Sequence, residues 1–134
     1  MAVDWNDQDF IARIEGAAFA GVVRAISIVD NEATRLIMRT QKSGKVYRRR
    51  GVKHQASAPG EAPASDTGAL IQSKTTDFDR ASIAGRLSFR TNYALALEKG
   101  TLRMAPRPYA VPAIVGKRTE IIDAIVMEIG SVLR

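Results

Sequence analysis

Residues 6–40 read NDQDFIARIEGAAFAGVVRAISIVDNEATRLIMRT. Apolar side chains at Phe10, Ile14, Ala18, Val22, Ala25, Val29, Ala33 and Leu36 recur at steps of three and four, while Arg13, Arg24, Asn31, Arg35 and Arg39 share another face. That is an amphipathic helix, in one piece or as two in tandem. Asn6 is placed to cap its first amides, and Asp7 and Asp9 suit the positive end of the helix dipole. Gly16 and Gly21 each cost about 1 kcal/mol against alanine in a helix interior, so a kink or break is expected near them. A helix of this length exceeds what one small core can cover, and its stripe is expected also to meet a neighbouring subunit.

Working outward, KTTDFDRASIAGRLSFRT (74–91) fits a β-hairpin whose second arm sets Ile83, Gly85, Leu87 and Phe89 against Ala84, Arg86, Ser88 and Arg90. Before it, a helical turn holding Leu70 and Ile71 would be capped by Asp66 or Thr67. After it, Asn92 can cap a short helix YALALEK, with Gly100 at its left-handed C-terminal position. Pro112 suits the first turn of a final helix with the stripe Ile114, Ile121, Ile125, Ile129 and Val132. Each helix has one apolar stripe and the hairpin one apolar face, so mutual burial predicts an α+β fold. The long N-terminal helix and the C-terminal helix would pack on a small, mostly antiparallel sheet. At 134 residues the chain is expected to be one domain, 1–134.

The remaining stretches hold the charge. Residues 41–60 carry six basic side chains and no acid, and 101–112 carry two and none, which together exceed the net charge of +6 because 1–40 is acidic. The first is the cluster Lys42, Lys45, Arg48, Arg49, Arg50 and Lys53, at the front of a long flexible loop over 41–68 with a short strand at Val46–Arg48. The second is the arm 100–112, stiffened by prolines at 106, 108 and 112. A basic cluster can neutralise phosphates with salt-sensitive affinity, or meet an acidic partner protein.

Zero cysteines and one histidine exclude disulfide frameworks, thiolate metal sites and cysteine nucleophiles. No run of 18 apolar residues occurs, and the acids near the start argue against a secretion signal, so a chain made in the cytoplasm with no membrane partner is expected. His54 and Ser57 lie in a loop without a G-x-S-x-G elbow, and KSGK lacks the phosphate-loop spacing. Glu98 reads as a capping or ion-pair partner, and Asp77 and Asp79 as turn acids. No catalytic, cofactor-binding or metal-ligating set emerges, which predicts a binding or structural protein.

Three ordered blocks add a resemblance. They are Ser57, Ala58, Pro59, Gly60, Pro63, Thr67, Gly68 and Leu70; then Tyr93, Ala94, Glu98, Gly100 and Thr101; then Arg107, Pro108, Tyr109, Pro112 and Ala113. Together they resemble S-A-P-G-x-x-P-x-x-x-T-G-x-L, Y-A-x-x-x-E-x-G-T and R-P-[FY]-x-x-P-A of the tail-component family of tailed double-stranded DNA phages, Hong Kong 97-type. Lys99 stands where an aromatic is frequent in that family, and Tyr109 where Phe is commoner. The resemblance implies a non-enzymatic neck or tail-completion subunit of the virion, assembled in the host bacterial cytoplasm. It would form a homo-oligomeric ring, expected to be a hexamer, around the channel that phage DNA passes through. Its neighbours would be connector, stopper or tail-tube proteins. In such a ring the basic cluster would face the DNA channel or an acidic partner, and Leu102, Arg103, Met104, Arg107 and Tyr109 would make intersubunit contacts, the alternative being an arm folded back on its own sheet to position the last helix. A basic nucleic-acid-binding module outside any virion is the alternative.

Overall fold

The computed structural model describes residues 7–134. The fold is α+β. Helix α1 (Asp7–Met38) is unbroken over 32 residues, about 48 Å at the usual rise. The expected cap at Asn6 lies outside the described residues. Gly16 and Gly21 do not break the helix. A Cβ on Gly21 would fall 2.8 Å from the Cα of Ile125, so this glycine lets the backbone of α5 (Arg118–Val132) approach. The deepest line of α1 is accordingly Ala17, Gly21, Ala25, Ala33 and Ile37, and most of the predicted stripe is half-buried beside it. Side-chain bulk set the prediction, whereas close helix packing selects small residues.

Strands β3 (Lys74–Asp79) and β4 (Ala84–Phe89) pair antiparallel from Lys74↔Phe89 to Asp79↔Ala84. Gly85 lies against α1, where a Cβ would meet Ile26 at 2.7 Å, and Arg86 and Arg90 are exposed, as the alternation predicts. Asp79 closes the turn by accepting from the Ala81 amide (3.0 Å) and the Ser82 hydroxyl (2.7 Å). Lys74 bonds Asp30 and, at 2.8 Å, Thr34, tying β3 to α1.

Two features differ from expectation. Instead of one sheet there are two separate hairpins, because Val46–Arg49 (β1) and Val52–Gln55 (β2) pair with each other within the stretch read as a flexible loop. Their Arg50–Gly51 connection has φ of 53° and 77°, the pair of left-handed residues that a two-residue type I′ turn requires. The final helix is also divided at Lys117, into α4 (Ala110–Gly116) and α5, and α5 packs chiefly along α1.

The helices α2 (Ala69–Gln72) and α3 (Ala94–Lys99) complete the fold around a modest core. Ile37, Leu70, Ala94 and Tyr109 form that core, with Phe89 and Leu97 packed against it. The chain exposes 9427 Å². A compact monomer of 14.6 kDa exposes about 6,900 Å², and residues 1–6, even if fully extended, account for about 1,000 Å². Roughly 1,500 Å² more than a compact monomer therefore stays open to solvent. Helix α5 contains no buried residue, and Ile122, Val126 and Met127 are about half or more exposed on it.

Candidate functional site

The three sequence blocks, up to 50 residues apart, converge on one node. Arg107 Nη1 donates to the Ser57 carbonyl (2.8 Å) and to Ser57 Oγ (3.1 Å), and Ser57 is the buried polar residue of this region. The Gly60 amide donates to the Pro106 carbonyl at 3.0 Å, and the Arg107 amide to Leu97 at 2.6 Å. Glu98 accepts from the amides of Tyr109 (2.9 Å), Ala110 (3.0 Å) and Val111 (2.9 Å). The first turn of α4 thus takes its cap from another helix, and the next residue, Pro112, has no amide to satisfy. Gly60, Gly68 and Gly100 have φ of 85°, 75° and 74°, and at Gly100 a Cβ would also meet the Met104 carbonyl oxygen at 2.8 Å. Pro59 is exposed and Pro108 half-buried on the same loops, and Tyr93 sits at the N-cap of α3.

Tyr109 is inside this node. It is 3% exposed, its ring stands edge-on to Phe89 at 4.8 Å, and its hydroxyl donates to the Ala94 carbonyl at 3.2 Å. Burial pushes its phenol up to about 12, with the Glu98 carboxylate adding to the shift. This corrects the expectation for the arm: Tyr109 anchors its own protomer, and Arg107 is occupied with Ser57. The arm does not run extended to residue 112, since α4 already begins at Ala110. What projects is the turn Thr101–Met104, closed by the Thr101 amide on the Met104 carbonyl (2.8 Å) and by the Arg103 amide on Thr101 Oγ1 (3.2 Å). Leu102 at its tip is 108% exposed, Arg103 is exposed and Met104 half-buried.

The basic cluster divides into two sets. Lys42 Nζ donates to the Leu36 carbonyl (2.8 Å) and to Thr40 Oγ1 (2.7 Å), closing the C-terminus of α1. Desolvation pushes its ammonium below the usual lysine range, partly offset by Glu61. Arg49 Nη1 pairs with Asp66 at 2.7 Å, and His54 Nε2 lies 3.3 Å from the same carboxylate with Tyr47 stacked on its ring. These side chains hold one face of the β1–β2 hairpin over a cleft of about 480 Å³ that Tyr93, Leu97 and Arg107 also line. On the other face, Arg48 stands opposite Lys53, with Arg50 at the tip. Arg48, Arg50, Lys53 and Lys45 are exposed and have no ion pair among the described residues.

Sequence reasoning missed Glu61, and it read Asp66 only as a helix cap. Glu61 accepts from the Ser43 amide (3.0 Å), the Ala58 amide (2.9 Å) and the Ser43 hydroxyl, which hold its carboxyl down at about 2. Both are acids closely following a basic run, and that juxtaposition is the signal that could have found them. His54 and Ser57 are engaged separately, with Asp66 and Arg107. Among the described residues no cluster of His, Asp and Glu could hold a metal ion, and no helix is long and apolar enough to cross a membrane. No family model, curated protein or solved structure matches the chain.

Proposed function

We propose that this chain is a structural subunit of a phage neck or tail-completion ring, joining the head connector to the tail around the DNA channel. One observation carries the reading: the protomer leaves roughly 1,500 Å² more surface in water than a compact monomer of its mass. A ring subunit has two interfaces, each covering about 800 Å² of it, which matches that excess. The sequence blocks support the same reading, because the shared residues build the node that aims the basic hairpin and the Thr101–Met104 turn outward. Rotational symmetry then makes one hairpin per subunit into a belt of positive charge toward DNA or an acidic neighbour. Removing the gene from the producing phage should yield filled heads beside detached tails in electron micrographs. Joined, infectious particles without the chain would end the proposal.

The exposed set Arg48, Arg50 and Lys53 favours a second reading, a nucleic-acid-binding module outside a virion. Tight DNA binding by an isolated monomer that never self-associates would select it.

A further inference from the structure

We infer that the Leu102–Arg103 tip of one copy seats in the groove between α1 and α5 of a second copy. The inference rests on the ring reading and names its interface. The tip is prepared for docking. Its turn is closed by its own hydrogen bonds, and its base is fixed at Gly100 against Pro106, so little entropy is lost when it is covered. Leu102 has no cover in its own protomer, and Arg103 has no ion pair among the described residues.

The receiving groove is complementary in polarity and in charge. It has a volume of about 400 Å³, with Ile28, Ala124 and Met127 offering apolar surface and Glu120 and Asp123 offering carboxylates. Met127 is 66% exposed, and Asp123 is exposed with no ion pair among the described residues. Glu120 already holds Lys117 at 2.9 Å and Arg24 holds Glu128 at 2.7 Å, which leaves Asp123 as the acid open to an incoming guanidinium. Leucine on apolar floor and arginine on aspartate satisfy both halves at once. Tip and groove are different surfaces of one chain, and in a ring the contact runs head-to-tail and closes with the rotation.

Sedimentation and native mass measurement test the contact on the full chain and on variants of tip and groove. Leu102 is wholly exposed, so Leu102→Asp keeps the wild-type melting curve while weakening self-association by about 30-fold or more, the size of a hot-spot loss. Met127→Asp should do the same from the groove side. Mixing the two variants restores one intact contact and gives dimers that grow no further. Arg103→Glu should also disrupt assembly, and adding Asp123→Arg should restore it. An oligomer that persists in Leu102→Asp overturns the tip contact and leaves the ring reading intact. Loss of assembly in Met127→Asp alone would show α5 pairing with α5 instead, and likewise overturns it. A wild-type chain that stays monomeric at millimolar concentration overturns both.

Discussion

The basic hairpin and the proline arm are both short, polar-rich segments between helices, yet they direct their side chains in opposite directions. In the hairpin, seven of the eight strand residues are exposed, and the hairpin is held by its own ladder and by Asp66. The arm turns inward twice, through Arg107 and Tyr109, and exposes the segment before them, Leu102 most of all. Proline content and charge density are properties of a segment, whereas the direction of a side chain depends on what the rest of the fold places beside it. The two segments serve differently: the arm builds the core, and the hairpin displays charge.

The largest effect is expected at the inward end of this contrast. Tyr109→Ala removes a buried aromatic and should cost about 3–5 kcal/mol, lowering the midpoint of thermal unfolding by roughly 10–20 °C. A loss of only a few degrees would mean that the ring is not part of the core. Glu98→Gln should cost about 1–3 kcal/mol, because three amides lose a shared carboxylate. Urea unfolding reads the loss, and faster amide exchange at Tyr109, Ala110 and Val111 locates it. Unchanged exchange there would show that another acceptor caps α4.

A pH titration probes the loop that joins the two regions. The Glu61 carboxyl is held at about 2, below its ordinary 4.5, by Ser43 and Ala58. Its folded value is depressed, so its contribution is complete above about 4.5 and fades as pH falls toward 2. The amide resonances of Ser43 and Ala58 should titrate with the low midpoint, and a midpoint near 4.5 would separate Glu61 from this loop. At the outward end the smallest effect is expected. Changing Arg48, Arg50 and Lys53 together to Glu should alter stability by no more than about 0.5 kcal/mol per position. The same change should flatten the salt dependence of any DNA binding, by close to one unit of slope for each phosphate no longer neutralised. A large loss of stability would place these cations in the fold after all.

The helices were legible because periodicity is local: α1, the β3–β4 hairpin and the turn at Asp79 follow from residues a few places apart. The β1–β2 hairpin was not, since Arg-Gly lacks the Asn-Gly or Asp-Gly signature that marks such turns. Glu98 was readable as a capping residue, but the helix it caps begins 12 positions later and is reached only through the tertiary fold. Tyr109 failed for the same reason. A proline-flanked tyrosine gives no sign of the pocket that Phe89 and Ala94 make for it.

Arg50 occupies the left-handed first position of the β1–β2 turn. An L-residue with a long side chain pays about 1–2 kcal/mol to sit at a φ of 53°, where asparagine or glycine sits with less strain. The tip of the hairpin therefore works against its own closure, and the face that carries Arg48 and Lys53 adds no packing to compensate. Opening of this hairpin should be among the lowest-energy fluctuations of the molecule, with amides that exchange well before those of β3–β4 against α1. A charged segment that opens and recloses on the microsecond scale samples a wider volume than a fixed one, so its reach in solution exceeds its reach in the folded frame.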